Sequence, residues 1–491
     1  MNNLSSKVPK EVTRVTQTLE KADLEAYLVG GCVRDLLLNK KPKDWDITTN
    51  AKPEEILELF EHTFYENSFG TVGVVSDETS DETLKTIEIT PYRLESKYSD
   101  SRHPDEVVFS DKLEDDLKRR DFTINALAYN VSGETLIDLY KGQKDLKDKT
   151  IRTVGKPEDR FSEDALRLLR AIRFSTELGF RISIETEKAI EKQAKNLKNI
   201  SQERIRDEFS KILMSDMPMD SVILTQKLGL LRYIIPELEK GMGEKQKGAH
   251  IYTVWEHNLR ALQHSADKEF PLHLRLASLL HDIAKPHTKR WNKDKKEWTF
   301  YGHDVVGEKV SREILERLRF PSQTVDIVTK LVRNHLFFSD IDKITLSAVR
   351  RIIRNVGPDN VWDLMKLRTC DRIGMGRPKE KPYRLRKYMA MIEEAMKDPV
   401  SVKMLKIDGK RLMNVSGETP GPKIGFVLNA LMEEVLDDPK LNTAKYLESK
   451  ALKLMKLPEN ELKKLGERGK EKKEGKEAKE IKAIRDKHWV K

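Results

Sequence analysis

The chain reads as an α+β protein, with a mixed head of strands and helices over residues 1–150 and helices from there on. Three observations predict this. Strand-like runs such as Leu84–Thr90 (LKTIEIT) alternate with period two in the first part. From Glu163 onward the apolar spacing becomes helical and stays so. Eight of the eleven histidines fall between 250 and 335, which marks off a further helical region. The segments drawn from these shifts are a head (1–150), a neck (151–240), a histidine-bearing domain (241–376), a helical tail (377–458) and a charged extension (459–491).

Residues 9–26 read as an amphipathic helix, with Val12, Val15, Leu19, Leu24 and Tyr27 near its apolar side. The stretch from Leu28 to Asn50 follows: a short apolar run, Gly30-Gly31, a helical pattern with Val33, Leu36, Leu37 and Leu38, a basic loop, then Asp44 and Asp46. Residues two apart on an extended strand share a face, so the two aspartates project together and Trp45 lies opposite. Two carboxylates on one face repel unless a cation sits between them. Hard oxygen ligands select Mg2+, which also binds substrate phosphates. The glycine pair lets backbone approach a phosphate, and the helix start behind it favours anions. A lone Gly-Gly is usually a turn and a lone Asp-x-Asp a solvated loop. Together, in strand–turn–helix–loop–strand order, they point to nucleotidyl transfer with paired metals.

Lys52-Pro53-Glu54-Glu55 starts another helix through about Phe60, with proline early where it is tolerated. Thr71–Val75 and Leu84–Thr90 read as strands, and Glu88 on the second reads as an exposed strand residue rather than a third metal carboxylate. Glu95 to Glu106 is polar and aperiodic and reads as a mobile loop. Arg119-Arg120-Asp121 then precedes the apolar FTINALAY. A guanidinium pairs with phosphate or a base edge, and Asp121 is a candidate acceptor for a ribose hydroxyl. In the neck, Ser162 is the expected N-cap of a helix with Leu166, Leu169, Ile172 and Phe174 apolar. Asp164, Arg167, Arg170 and Arg173 recur every three residues. By spacing alone that is a solvated basic face with ion pairs such as Glu163–Arg167. GFRISIETEKAI and NISQERIRDEFSKILMS read as further helices.

Several of these stretches resemble one family. GGCVRDLLL…DWDITT resembles the signature shared by CCA-adding enzymes and bacterial poly(A) polymerases, in its class II form. RRDFTINALAY resembles the second motif of the CCA-adding family. ESKYSDSRHPDEVVF resembles the loop that family uses to change specificity from C to A, with His103 where many members carry arginine. SEDALR resembles its EDxxR motif, SQERIRDEF its next neck motif, and PGPKIGFVLNAL the end of its HD-bearing members. The resemblance runs from about residue 20 to 455. It implies a polymerase-beta-like head followed by an all-helical neck, body and HD domain, adding C, C and A to tRNA from CTP and ATP. Asp44 and Asp46 would hold Mg2+. Gly30, Gly31 and Arg34 would bind triphosphate, Asp121 would belong to the same nucleotide site, and Arg120, Arg170 and Arg173 would lie close to the base-selecting pair, Asp164 and Arg167. Asp164 and Arg167 would present acceptor and donor groups to the incoming base, so that protein replaces a template. Arg170 and Arg173 would reach the triphosphate or the tRNA end. An A-adding enzyme, a poly(A) polymerase, and an HD phosphohydrolase with an RNA-binding head are the alternatives.

The histidine-rich region carries a second site. Imidazoles and carboxylates from successive helices can build a hydrolytic metal centre in a bundle. The ordered set His257, His281-Asp282 and Asp371 resembles the HD metal-dependent phosphohydrolase pattern, with His303 and His335 as ligands of a second divalent metal and Lys285 after the HD pair.

Composition agrees with these expectations. Hydrophobic residues are 38% and charged residues 35% of the 491, and the formal net charge is +10, which suits a polyanionic partner. Two cysteines, Cys32 and Cys370, make no disulfide framework and fit a reducing cytoplasm. MNNLSSKVPKEV lacks an apolar signal core, and no apolar run is long enough to span a bilayer. The Lys/Glu-rich stretch after about Glu459 reads as either a solvated helix or a disordered segment.

Overall fold

The computed structural model describes residues 4–65, 70–76, 79–95, 107–246, 251–294, 296–336, 344–397 and 405–490. The specificity loop expected between Glu95 and Glu106, including His103, lies outside them from residue 96 on. The chain forms two compact units, residues 1–333 with 370–377, and residues 334–369 with 378–491.

The first unit opens with α1 (Lys10–Lys21), which buries Val12, Val15 and Leu19. The helix is shorter than its apolar pattern, since Asp23 takes a left-handed turn and Tyr27 begins β1 (Tyr27–Val29). Then follow α2 (Gly31–Leu37), β2 (Asp46–Thr49), α3 (Pro53–Leu59), β3 (Thr63–Tyr65), β4 (Val72–Val75) and β5 (Thr86–Pro91). Next are β6 (Arg93–Glu95), β7 (Val107–Phe109), α4 (Leu113–Lys118), β8 (Ala128–Asn130), β9 (Thr135–Ile137) and α5 (Gly142–Lys147). Seven strands make one sheet in the order β3-β4-β5-β2-β1-β8-β9. Only the β2–β5 pair is parallel. β5 alternates buried and part-exposed residues as its sequence predicts, and Leu28, Ile47, Ile87 and Ile89 fill the sheet core.

Two short parallel strands, β10 (Thr150–Ile151) and β11 (Arg181–Ile182), stitch the neck to the head. Arg181–Ile182 was expected in a helix; pairing with β10 and a Ser183 cap delay α8 (Ile184–Gln193) to the next residue. The neck helix expected from Ser162 is also two helices, α6 (Pro157–Glu163) and α7 (Leu166–Leu178). Pro157 starts α6 early, and Asp164 adopts an extended backbone that ends it. Ser162 therefore sits inside a helix and its hydroxyl donates to Gln193 Oε1 (3.2 Å), while Asp164 Oδ1 accepts the Leu166 N–H at 3.0 Å. The unit continues with α9 (Gln202–Met214), α10 (Pro218–Lys227), α11 (Pro236–Glu239), α12 (Val254–Asp267), α13 (Leu272–Leu280) and α14 (Lys285–Thr288). A hairpin of β12 (Arg290–Asn292) and β13 (Glu297–Thr299) leads to α15 (His303–Arg317) and α16 (Ser322–Asn334).

The second unit holds α17 (Leu346–Val356), most of α18 (Val361–Gly374), α19 (Tyr383–Met396), α20 (Gly409–Ser416), α21 (Pro422–Asp437), α22 (Ala444–Met455) and α23 (Glu459–Lys487). Leu412, Val427, Leu431, Leu447, Ala451 and Leu462 form its core. The charged extension is thus a 29-residue helix. Its first half lies so close to α21 that a Cβ at Gly469 would meet Asn429 O at 2.1 Å. Its end is held by Ile484 and Val490 against Ala390, and by Arg386, which donates to the carbonyls of His488 and Trp489 (3.1 Å each). Among the described residues no helix is long and apolar enough to cross a membrane.

Candidate active site

β1 and β2 are antiparallel neighbours, so the end of β1 lies beside the start of β2. That pairing sets Gly30-Gly31 over Asp44 and Asp46. Gly30 has φ +81°, a backbone that L side chains resist. A Cβ there would stand 3.0 Å from Arg120 Nη1 and 3.6 Å from Asp46 Oδ2; one at Gly31 would stand 3.6 Å from Asp44 Oδ1 and 3.7 Å from Arg34 Nη2. Two carboxylates and two guanidiniums therefore converge on a space kept open by missing side chains. The strand begins only at Asp46, so Asp44 stands in a bend before it rather than two places along the strand, and Trp45 between them is buried. Parallel pairing also sets Glu88 directly beside Asp46. The sequence singles out Glu88 but favours an exposed strand residue; strand register instead sets it beside Asp46, part-buried.

The cationic residues are held from behind. Arg120 donates to Asp116 Oδ2 through Nε (3.2 Å) and Nη2 (2.9 Å), and Arg119 Nη2 reaches Asp116 Oδ1 at 2.5 Å. Burial alone would raise the Asp116 carboxyl, but Arg119 and Arg120 hold it below the usual carboxylate range. Arg34 donates to Asn125 Oδ1 at 2.9 Å. Asn125 in turn donates to Asp121 Oδ1 (3.2 Å), which also accepts the Phe122 N–H (2.8 Å). Asp121 Oδ2 accepts from Arg170 Nε and Nη2 at 2.8 Å. The expected ribose acceptor is thus a buried link that fixes Arg170; burial would raise its carboxyl, and Arg170 and Arg167 keep it below its ordinary value.

Phe174 joins the head to the neck. Its ring lies 5.3 Å from the Arg34 guanidinium, 5.2 Å from Arg170 and 4.3 Å from Arg173, and edge-on to Phe122. Its apolar spacing marked it only as a core residue. Arg173 also donates to Glu208 (2.6 Å) and Glu177 (3.0 Å). Asp164 Oδ2 accepts from Arg204 Nη2 at 2.7 Å. Arg167 is buried and donates to Glu163 (2.6 Å) and to the carbonyls of Arg160 and Arg119 (3.0 Å each). Arg167 thus clasps the neck to Arg119, whereas Asp164 is tied within the neck.

A second centre lies in the same unit. His257 comes from α12, His281 and Asp282 follow α13, His303 opens α15, and Asp371 lies in the last turns of α18. His335 is buried and falls in the second unit, after α16. His257 Nε2 is 2.8 Å from His281 Nε2, 3.0 Å from Asp282 Oδ2 and 3.4 Å from Asp371 Oδ1; His303 Nε2 is 3.1 Å from Asp282 Oδ1. His281 Nδ1 donates to Ser278 O (2.9 Å) and His303 Nδ1 to Phe300 O (2.6 Å), which turns both Nε2 atoms inward. Burial disfavours a charged His257, yet Asp282 and Asp371 push it up to about 9. The cluster therefore draws positive charge to one buried point. Two imidazoles and a carboxylate within 4.8 Å of one another suit a first-row divalent ion. Lys285 Nζ sits 2.5 Å from Asp282.

Three stretches of the chain match known protein families. The Poly A polymerase head domain matches residues 26–152, the probable RNA and SrmB-binding site of polymerase A matches 179–242, and the HD domain matches 248–382. The chain is 33% identical to the CCA-adding enzyme of Ligilactobacillus salivarius over 91% of its own length and 98% of that relative. It is 36% identical to the A-adding tRNA nucleotidyltransferase of Deinococcus radiodurans over 67% of this chain and 76% of that relative. Other matches are more local: identity reaches 52% where the chain spans about half (48%) of the relative's length. The crystal structure of Bacillus stearothermophilus CCA-adding enzyme in complex with CTP superposes with a TM-score of 0.59 at 25% identity, covering 91% of this chain and 98% of that one. Full-length similarity, a matching head and a matching fold together show that the chain belongs to the family of CCA-adding enzymes and related tRNA nucleotidyltransferases.

Proposed function

We propose that this chain adds C, C and A to the 3′ end of tRNA from CTP and ATP. The observation that carries the reading is the open glycine turn over Asp44 and Asp46, flanked by Arg34 and Arg120. The donor set suits Mg2+, held by Asp44 and Asp46 with Glu88 alongside, which would supply charge for the primer hydroxyl and the departing pyrophosphate. Gly30 and Gly31 let the triphosphate approach the backbone. Arg34 and Arg120 pair with its oxygens, each already oriented by Asn125 or Asp116. Asp164 and Arg167 select the base. Cytosine and adenine both offer an amino donor beside a ring-nitrogen acceptor, which an Asp–Arg pair complements, whereas guanine and uracil reverse that order. Each residue would exchange a present protein partner for the base edge. Asp121 positions Arg170. The tRNA is held through shape and phosphates, in keeping with the net charge of +10. Cys32 and Cys370 are buried and outside any disulfide, which suits a reducing cytoplasm.

The test is to incubate tRNA lacking its terminal trinucleotide with Mg2+ and all four NTPs, and to sequence the product. Ordered CCA supports the reading. No extension with CTP alone would move the assignment to A-only addition, which similarity to the Deinococcus enzyme keeps in view. Long adenylate tails on a generic RNA would indicate poly(A) synthesis. Asp44→Ala with Asp46→Ala abolishes incorporation on this reading and leaves it intact on a non-polymerase one. For the second centre, the buried His257–His281–Asp371 group supports divalent-metal phosphoester hydrolysis, with Asp282 and His303 adjoining.

A further inference from the structure

The connection between Lys285 and His303 is not a plain loop. It folds into the β12–β13 hairpin, in which Trp291 pairs directly with Trp298. Direct cross-strand partners share one face, and the two rings meet edge to face at 5.3 Å. Neither is buried: Trp291 is 50% exposed, Trp298 43%, and Tyr301 beyond the hairpin 70%. Exposing three large aromatic side chains within eleven residues calls for an explanation.

Charge supplies the second half of the argument. Among the described residues, 289–297 carry four basic side chains (Lys289, Arg290, Lys293, Lys296) against two acidic ones. Lys289 Nζ stands 4.5 Å from the centre of the Trp298 ring and is itself held by Glu244 at 2.5 Å. That ion pair orders the cation and, through it, the ring. A cross-strand tryptophan pair that only stabilised its hairpin would need neither an exposed third aromatic nor this excess of cations.

Aromatic faces set among basic side chains are what unpaired nucleotides recognise, bases stacking on the rings while cations track the phosphates. We propose that the 289–301 hairpin is a stacking site for single-stranded RNA, separate from the nucleotide-addition site in the head. Both ends of the hairpin are tied to the buried histidine centre, through Lys285 on Asp282 and through the His303–Phe300 hydrogen bond. A strand held here is thereby delivered to the rim of that centre. The binding itself does not depend on the centre being hydrolytic.

The test uses the full chain and a 5-iodouridine-substituted octaadenylate, photocrosslinked and mapped by mass spectrometry. Adducts on Trp291, Trp298 or Tyr301 are expected. The Trp291→Ala/Trp298→Ala variant should lose those adducts, and its oligonucleotide binding at moderate salt should weaken by about tenfold, the scale of roughly one stacked base. The Trp291→Phe/Trp298→Phe variant should retain most of the binding. Nucleotide incorporation into tRNA should be unchanged in both, which reports an intact fold. Adducts found only outside 289–301 in the wild-type chain would overturn the proposal, as would equal binding by the wild-type and alanine forms.

Discussion

Gly30 concentrates the chemistry of the head into one backbone conformation. Alanine there must adopt a positive φ and bring its Cβ to 3.0 Å from Arg120. We expect Gly30→Ala to cost about 1–3 kcal/mol in stability and to depress incorporation far more than a surface glycine change does; chemical denaturation and single-turnover kinetics read the two effects apart. Asp121 offers a pH signature. Its carboxyl lies below its ordinary value in the folded chain, so its contribution is complete above the unfolded value of about 4 and fades as pH falls through the lower folded value. Urea melts of Asp121→Asn should therefore show a deficit of about 1–3 kcal/mol at pH 7 that narrows below pH 4. A deficit constant over that range would remove the charge argument. The glycine pair, Asp44, Asp46 and Arg120 stand out in the sequence because their pattern is local, whereas Asp121 stands out for a ribose contact and is instead a buried link to Arg170. Asn125 gives no such signal, since a turn places it, and Glu88 is recognisable only as a strand residue until register sets it beside Asp46.

At the level of elements, α23 shows how little composition decides. Its sequence is almost wholly charged, and what orders it is close helix packing at Gly466 and Gly469 plus a capped far end. Gly469→Ala should destabilise the second unit by about 1–3 kcal/mol, because its methyl meets the Asn429 carbonyl. Gly475→Ala has nothing within 4 Å of the new Cβ and should stabilise by up to about 1 kcal/mol. Opposite signs from two glycine changes in one helix, read by urea unfolding, test the packing directly. The break between α6 and α7 carries a similar lesson. The spacing predicts one helix starting after Ser162, yet Pro157 sets an earlier start and extended Asp164 ends that helix, its Oδ1 accepting the Leu166 N–H.

Across the whole molecule two chemical centres share one compact unit and draw on different residues. His281→Ala should remove metal binding at the buried cluster and leave nucleotide addition unchanged; loss of addition in a folded variant would contradict their separation. A divalent ion at about a hundred times its dissociation constant should stabilise the chain by about 2.7 kcal/mol, several degrees in melting temperature. EDTA should reverse the shift, and His281→Ala should abolish it. The sequence by itself determined the α+β head and the largely helical remainder, because these follow from short-range spacing and local backbone freedom. Tertiary structure alone decided which carboxylate stands beside Asp46, that Phe174 gathers Arg34, Arg170 and Arg173, that Asp121 faces inward, and that the charged extension is a packed helix. Each of those outcomes depends on contacts between residues far apart in the chain, whose energies no local pattern records.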